Sequence, residues 1–383
     1  MPRLLYAFAL CNLVIGTGAF VIGGILVPIG DALGVGVATA GQAMTAYALA
    51  TAVLAPLALV ATGGWPRRRA LCASMGVFAL GNALCALAPD FATLVAGRVL
   101  MGAGAFFTAA SAGIAVALVE PARRGRALSL VFLGISLSYV VGLPLGAWLG
   151  FRFGWRWPIA LVAALSLAGV VALARLLPRD IAAPGASFAG LRPLLAQPAV
   201  LLALSLTLLY FIAIFTVFAY IGPVLQALRP MSPEALSATL AAFGASGVVG
   251  TLAGGWANDH FGARRSLAVQ LTVLGTTMVL LPLAQGHHAL VVATLVTWGI
   301  AGFGMMAPQQ SRLAALSPAQ APILLSLNTS MLYVGTAFGA AIGGAAAGHV
   351  GFERLSWVGA PFAAAGLATL WLSARHAASL KPA

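Results

Sequence analysis

Charged side chains are scarce in this sequence, and acidic ones are the scarcest. Only 7% of its 383 residues are charged, and Asp and Glu together number seven. An average soluble domain is about one quarter charged, so this composition excludes an ordinary soluble protein. Cysteine is also rare: the three thiols lie inside apolar runs, without a Cys-x-x-Cys pair or a nearby histidine. We therefore expect neither a metal site nor a bound cofactor.

Apolar residues take the place of the missing charge. They make up 61% of the chain, and the mean hydropathy is +1.03. A helix needs about 20 apolar residues to cross a bilayer core roughly 30 Å thick. Twelve runs reach this length: residues 4–29, 38–62, 70–88, 91–118, 127–150, 157–177, 199–222, 236–257, 266–284, 289–311, 321–348 and 356–374. They are apolar on all sides, unlike barrel strands, so the sequence predicts an all-α membrane protein with twelve transmembrane helices.

The basic residues indicate how the chain is oriented. With the N-terminus in the cytoplasm, most of the twenty Lys and Arg, including Arg67–Arg69 and Arg264–Arg265, fall on the cytoplasmic side. This is the usual positive-inside distribution, so the net charge of +13 does not indicate nucleic-acid binding. We expect a multi-pass protein of the bacterial cytoplasmic (inner) membrane, with both termini in the cytoplasm.

An internal duplication divides the chain. The tripeptide Gly-Gly-Trp begins at Gly63 and again at Gly254, about half the chain apart. The interval 178–198 holds four prolines and reads as a linker. We predict an N-terminal six-helix bundle (1–177), a cytoplasmic linker (178–198) and a C-terminal six-helix bundle (199–383). Six spans in each half make the two repeats parallel, which predicts a substrate site between them near the middle of the membrane.

Three motifs resemble those of the major facilitator superfamily. Gly255-x-x-x-Asp259-His260-x-Gly262-Ala263-Arg264-Arg265 resembles its signature loop, although His260 and Ala263 stand where basic residues are usual. Arg98-x-x-x-Gly102-x-Gly104 is similar to its arginine-glycine motif, and Gly142-Leu-Pro144-Leu-Gly146 to the glycine-proline motif of its antiporters. The opening segment 16–35 resembles the twelve-span drug:proton antiporter branch, which includes arabinose-efflux, chloramphenicol and purine-nucleoside exporters. The first-half loop, GGWPRRR at 63–69, lacks the aspartate and the second glycine.

This resemblance implies a secondary active transporter and not an enzyme. It implies export of a small, partly apolar molecule of the drug, sugar or nucleoside class by alternating access, in exchange for protons, by a monomer. An uncoupled facilitator and an uptake transporter remain alternatives. One alternative comes from a different class: Gly244-Ala-Ser246-Gly247 resembles the nucleophile motif of rhomboid intramembrane proteases. The sequence places no histidine in a span to activate Ser246, and a serine without a base is a weak nucleophile.

The charged loop at 259–265 is a candidate gate latch. The loop is short, Gly262 supplies its turn, and Asp259 could pair with Arg264 or Arg265 or cap a neighbouring helix. Such a bond would form in one transport state and break in the other. Positive-inside anchoring alone would explain both arginines, but it leaves the aspartate unexplained.

Arg98 is the one charged residue well inside the predicted spans, since Arg175 stands at the cytoplasmic end of its span, and we expect Arg98 to bind substrate or take part in coupling. Its alternative role is to extend its guanidinium towards the membrane surface. A guanidinium stays protonated, so another group must carry a transported proton. The first-span motif of many antiporters of this branch carries an acid where this chain has Ala19. Asp31, at the outer end of the first span, is the remaining candidate for coupling, although an ordinary loop acid would also stand there.

Polar and aromatic residues at mid-depth form a candidate substrate site. Besides Arg98, they are Asn12, Thr17, Phe20, Phe106, Phe107 and Tyr139 in the first half, and Tyr210, Phe211, Phe215, Trp298, Asn328 and Tyr333 in the second. A mostly apolar cavity with a few polar groups suits an amphipathic small molecule. A further set provides close helix packing or hinges: Gly142, Pro144, Gly146, Gly335 and Gly339.

Overall fold

The computed structural model describes residues 2–120, 124–178, 195–317 and 320–379, so most of the predicted linker lies outside the described residues. Within these ranges the chain is helical and contains no strand. The helices are α1 (Pro2–Gly24), α2 (Leu26–Leu33), α3 (Val37–Ala61), α4 (Arg67–Ala86), α5 (Phe91–Gly104), α6 (Phe107–Ala117), α7 (Arg124–Leu137), α8 (Leu143–Phe153), α9 (Arg156–Leu176), α10 (Pro198–Phe218), α11 (Ile221–Leu228), α12 (Pro233–Leu280), α13 (His288–Gly304), α14 (Met306–Leu316), α15 (Ala321–Val350) and α16 (Leu355–Ser379).

Eleven helical segments of the described chain are long and apolar enough to cross a membrane. One of them, α12, has 48 residues. At 1.5 Å per residue a straight helix of this length would measure about 70 Å, more than twice the thickness of a bilayer core. It is interrupted at Gly262, whose φ of 78° is open to glycine and strained for other residues. Because α12 therefore supplies two spans, the all-helical, twelve-span fold predicted from the sequence is confirmed.

The first and seventh spans are each divided into two helices. In the first, α1 and α2 meet at Ile25 (φ −124°, ψ 22°). In the seventh, α10 and α11 meet at Tyr220 (φ −116°, ψ 26°). Pro28 and Pro223 each follow the break by three residues. A proline has no N–H for the carbonyl four residues before it, and its ring clashes with that carbonyl, so the helix breaks one turn upstream.

The fourth and tenth spans are also interrupted. In the tenth, α13 ends at Gly304, and Pro308 has no N–H to bond the Gly304 carbonyl. In the fourth, α5 ends at Gly104, whose carbonyl accepts a hydrogen bond from Ser74 Oγ at 2.5 Å. The carbonyl at the break is thus bonded by a serine side chain in the first half, whereas in the second half a proline leaves the corresponding carbonyl without its helical N–H partner.

The fifth span contains a π-helical turn, Ser138–Gly142, between α7 and α8. Pro144 stands at the start of α8 and cannot donate to the carbonyl of Val140, which lies inside this turn. One-turn π segments in helices are frequent at functional sites. The predicted hinge residues Gly142 and Pro144 therefore lie at a real irregularity of the helix.

The described chain divides into two compact units. The first holds α1–α9 together with residues 232–241, the first turns of α12. The second holds α10, α11, the rest of α12, and α13–α16. In the first unit α1 packs against α7 and α9, while α4 packs against α5 and α9. In the second unit α10 packs against α15 and α16.

Glycines bring equivalent helices together in both units. A Cβ added to Gly142 would collide with Thr17 of α1, and one added to Gly339 would lie 2.8 Å from the carbonyl oxygen of Ile212 in α10. Thr17 and Ile212 each lie eight residues before the break that ends their helix, at Ile25 and Tyr220. The internal duplication therefore extends to single packing contacts.

Candidate functional site

A buried polar cluster joins three helices of the first unit. Asn12 of α1 is fully buried, and its Nδ2 donates to the Val131 carbonyl of α7 (3.3 Å) and, at 3.5 Å, to Ser111 Oγ of α6. Its Oδ1 accepts a hydrogen bond from Thr108 Oγ1 at 2.7 Å. We call Asn12, Thr108 and Ser111 the first polar triad.

A matching cluster joins three helices of the second unit. Thr207 Oγ1 of α10 donates to Asn328 Oδ1 of α15 at 2.5 Å. Gln309 Nε2 of α14 donates to Thr207 Oγ1 (2.9 Å) and to the Ala203 carbonyl (2.6 Å). We call Thr207, Gln309 and Asn328 the second polar triad.

The two triads are equivalent by position. Asn12 and Thr207 each lie 13 residues before the break of their helix, at Ile25 and Tyr220. Burying a polar group in an apolar interior is costly unless it is hydrogen-bonded, so each triad fixes three helices in one arrangement. One buried acceptor is left: Gln309 Oε1 has no hydrogen-bond partner among the described residues.

The sequence analysis identified one member of each triad, Asn12 and Asn328, and missed the others. Thr108, Ser111, Thr207 and Gln309 are hydroxyls and an amide within otherwise apolar runs. Polar residues within apolar runs were the signal from which these triad members could have been identified. Threonine and serine often satisfy themselves on their own helix, however, so the pattern does not distinguish them from ordinary helix residues.

Arg98 of α5 is almost completely buried, with 1% of its surface exposed. Its Nη1 donates to the Gly18 carbonyl (2.7 Å), its Nη2 to the Ala19 carbonyl (2.8 Å), and its Nε to the Ala43 carbonyl (3.2 Å). The guanidinium also lies 4.4 Å from the ring centroid of Tyr47. The side chain thus points into the first unit, where it joins α1, α3 and α5, and it does not extend to the surface.

Trp298 occupies the position in the second unit that Arg98 occupies in the first. Arg98 stands four residues before Gly102 and six before Gly104, and Trp298 has the same spacing to Gly302 and Gly304. Trp298 is 3% exposed, and its Nε1 has no hydrogen-bond partner among the described residues. It lines a narrow gap, too small for a water molecule, together with Ser356, whose Oγ is also unpartnered within the described chain.

The aromatic candidates of the first half form separate pairs. Phe20 of α1 stacks on Tyr139 of the π turn, with ring centroids 4.9 Å apart. Phe107 meets Phe8 edge to face at 6.2 Å. Phe106 packs in a small apolar cluster with Ala55 and Ala105.

The hydroxyl of Thr17 donates to the Leu13 carbonyl of its own helix at 2.8 Å. Thr17 precedes Gly18 and Phe20 follows Ala19, the two residues whose carbonyls bond Arg98, so Thr17, Phe20 and the guanidinium lie along one segment of α1.

The aromatic candidates of the second half form one continuous row. Successive ring centroids are 4.8–5.8 Å apart, and the row runs through Tyr210, Phe211, Phe215, Phe218, Phe243 and Trp298. The sequence analysis missed Phe218 and Phe243, which link α10 to Trp298 of α13. Tyr333 lies in α15 and is half-buried. The second unit thus contains a largely buried aromatic row, and the Trp298 N–H at its end has no hydrogen-bond partner among the described residues.

The acidic residues of the described chain are exposed or half-buried. Asp31 is exposed in α2, and among the described residues no carboxylate is buried. Glu234 lies in the first turn of α12 and is exposed. Asp90 caps α5 by accepting a hydrogen bond from the Thr93 N–H at 2.8 Å, which lowers the pKa of its carboxyl.

The candidate latch loop is compact. Asp259 accepts a hydrogen bond from Asn258 Nδ2 at 3.4 Å, and within the described ranges it makes no ion pair with Arg264 or Arg265. The guanidinium of Arg264 lies 4.8 Å from the ring centroid of Trp371 in α16. In this structure Arg264 therefore contacts α16, and the predicted bond to Asp259 is not formed.

Ser246 shows the environment of a packing residue. It is 3% exposed, and its Oγ donates to the Phe243 carbonyl one turn earlier, at 2.6 Å. A Cβ on Gly299 of α13 would collide with this hydroxyl. The small residues 244–247 therefore serve close helix contact at this point.

The family follows from the comparison of the sequence with known proteins. The model of the Major Facilitator Superfamily matches residues 8–321 and 231–383. The chain belongs to the major facilitator superfamily. It is 32% identical over 374 residues to the inner membrane transport protein YdhP of Escherichia coli (strain K12), covering 97% of this chain and 96% of that protein. It is 29% identical over 357 residues to the uncharacterized MFS-type transporter YbcL of Bacillus subtilis (strain 168), covering 93% and 92%.

Solved structures have the same fold. A bacterial homolog of the human lysosomal transporter Spinster, in an inward-facing and unoccupied conformation, superposes with a TM-score of 0.80 at 18% identity, covering 97% of this chain and 96% of that one. A D-xylose–proton symporter superposes with a TM-score of 0.74 at 16% identity, covering 96% and 97%. The protein is therefore a multi-pass membrane transporter of this superfamily.

Proposed function

We propose that the protein exports a small, partly apolar molecule by alternating access, in exchange for protons, across the bacterial inner membrane with both termini in the cytoplasm. The aromatic row of the second unit is the observation that carries this proposal. Its rings are mostly apolar and, apart from half-buried Phe211, buried in this structure, and the Trp298 N–H at the end of the row is a donor without a partner in the described chain. We expect a substrate to reach these rings in another state of the transport cycle. Sites of this composition bind amphipathic small molecules and orient them through a few polar groups.

Proton exchange needs a group that can titrate. Arg98 is unsuited, because a guanidinium stays protonated and its N–H groups already bond three carbonyls. Asp31 stands near the end of the first span, and its exposure gives water direct access to it. We assign the coupling role to Asp31.

Substrate-induced pH change inside proteoliposomes tests both parts of the proposal. The panel holds chloramphenicol, cationic dyes, sugars and nucleosides. We expect one class to drive proton flux in the unmodified protein, and Asp31→Asn to abolish that flux while solute binding persists. Asp90→Asn is the matched control, because asparagine also caps helices and Asp90 lies outside the spans. Full proton-driven flux in Asp31→Asn would overturn the coupling assignment.

An uncoupled facilitator is the second candidate function. It is favoured by the surface position of the acids, since no carboxylate among the described residues is buried where a protein-held proton would be shielded from water. Solute flux without a pH change, for the same substrate class, would select this candidate over the antiporter.

We further propose that the loop at 259–265 is a gate latch in which Asp259 pairs with Arg264 or Arg265 in a second conformation. The lack of an ion pair in this structure is compatible with a bond that forms in one state only. Asp259→Asn would remove that bond and is expected to lower the transport rate several-fold with binding unchanged. A rate equal to that of the unmodified protein would exclude the latch.

A further inference from the structure

Two arginines of the second unit lie close together without an acidic partner. Arg312 is in α14, and Arg264 follows the break in α12. Both side chains reach the same part of α16: Arg264 lies over the Trp371 ring, and Arg312 donates to Ser373, two residues further along. Neither forms an ion pair with any residue in the part of the chain that the structure describes. Two uncompensated cations at one place repel each other, so the site favours an anion.

The hydrogen bonds of Arg312 are incomplete. Its Nη2 donates to Ser373 Oγ of α16, while its buried Nη1 has no partner within the described residues. Ser373 is itself 4% exposed and, having accepted this bond, can still donate its own hydroxyl proton. A buried, unpartnered guanidinium N–H is uncommon, because leaving such a donor unsatisfied is costly. An anion with several acceptor oxygens would satisfy the Nη1 group, the Ser373 hydroxyl and the second arginine together.

The position of Arg264 and Trp371 at the end of membrane helices indicates which kind of anion binds there. The guanidinium of Arg264 lies over the ring of Trp371, and both side chains are exposed. Tryptophan and arginine at the ends of membrane helices are typical of the headgroup level of a bilayer. Arginine binds phosphate through two parallel hydrogen bonds, and basic pockets at the cytoplasmic leaflet bind anionic lipid headgroups.

We propose that Arg264, Arg312, Trp371 and Ser373 form a binding site for a phosphate group at the end of the second unit that we predict to be cytoplasmic. The phosphate can belong to an anionic phospholipid headgroup or be free in solution. This site does not involve the aromatic row or Asp31, but it shares Arg264 with the proposed latch loop. Its test measures phosphate binding and not transport, so its failure is distinguishable from failure of the transport proposal.

Binding to the purified full-length protein in detergent tests the site. One arm adds phosphatidylglycerol in mixed micelles, with phosphatidylcholine as the reference lipid, and counts retained lipid by native mass spectrometry. The other arm adds inorganic phosphate, with chloride at equal ionic strength as the reference, and follows the midpoint of thermal unfolding.

The variants are Arg264→Gln and Arg312→Gln, and Arg175→Gln is the matched control. Arg175 is an exposed arginine at the end of α9 on the same predicted side. Loss of one charged hydrogen-bond donor is expected to weaken phosphate binding about tenfold. We expect this loss in Arg264→Gln, a larger one in Arg312→Gln, and none in Arg175→Gln. Arg264 is exposed, so its variant remains informative even if Arg312→Gln folds poorly.

The two arms distinguish the sources of the phosphate. Arginine-dependent retention of phosphatidylglycerol without an effect of inorganic phosphate would identify a lipid headgroup. Arginine-dependent stabilisation by inorganic phosphate without lipid retention would identify a soluble phosphate, and both responses would identify a site that accepts either. Equal binding by the unmodified protein and Arg264→Gln, or no binding in either arm, would overturn the proposal.

Discussion

The two units carry different side chains, with different hydrogen bonding, at one equivalent position. In the first unit Arg98 fills it, and three backbone carbonyls receive the guanidinium hydrogen bonds. In the second unit Trp298 fills it, and its N–H has no partner among the described residues. A cation whose hydrogen bonds are satisfied stabilises the helices around it, whereas an unsatisfied donor can bond a ligand once the surrounding helices move apart. Duplication kept the helix packing and let the polar groups diverge, into a structural role for Arg98 and, as we propose, a binding role for Trp298.

Replacing Arg98 should give the largest change in stability and tests this difference between the units most directly. Arg98→Leu removes three charged hydrogen bonds that hold α1 and α3 against α5, and we expect a loss of about 3 kcal/mol or more in the free energy of unfolding. Arg98→Lys keeps the charge but cannot reach all three carbonyls, so an intermediate loss is expected. Thermal unfolding in detergent measures both. If Arg98→Leu were as stable as the unmodified protein, the structural role would be excluded.

The two polar triads can be compared in the same way, and the expected changes in stability are intermediate in size. Thr207 is in the middle of its chain of hydrogen bonds, since it accepts from Gln309 and donates to Asn328. Thr108 is at an end, where its hydroxyl donates to Asn12. Thr207→Val should therefore leave two buried groups unpaired and Thr108→Val one.

We expect Thr207→Val to lower the free energy of unfolding by about 2–3 kcal/mol and Thr108→Val by about 1 kcal/mol. Chemical or thermal denaturation of the two variants side by side checks the order. The opposite order would mean that the second triad is held by its packing and not by its hydrogen bonds.

Trp298→Phe gives the smallest change in stability. The ring stays apolar and buried, and the N–H that is lost has no partner in the described chain, so we expect the free energy of unfolding to change by less than about 1 kcal/mol. Solute binding should nevertheless weaken several-fold if the N–H orients the substrate. A binding isotherm for the active substrate class measures this, and unchanged affinity would remove Trp298 from the site.

Hydropathy was enough to predict the twelve spans, because each apolar run had to match the bilayer thickness. The breaks in the first, seventh and tenth spans had a readable signal in Pro28, Pro223 and Pro308, which the span count did not use. The break after Gly104 had none, because its cause is a serine of another helix.

The roles within the candidate site were harder to predict. The partners of Arg98 are backbone carbonyls, which every residue carries and no side-chain pattern reveals. Asn12 and Thr108 are 96 residues apart, so the sequence does not show that they meet. Aromatic residues could be identified individually, but only the packing of α10 shows that those of the second half form one row.

The interruption of α12 bears on how the chain enters the membrane during synthesis. Gly262 is the only residue with non-helical dihedral angles within the 48 residues of α12. Two spans joined so closely cannot be threaded into the bilayer one after the other with a free loop between them. We expect them to partition together as a helical hairpin, whose charged turn, with Arg264 and Arg265, stays on the side that we predict to be cytoplasmic. Because of that one glycine, we expect the two spans of α12 to enter the membrane as one unit.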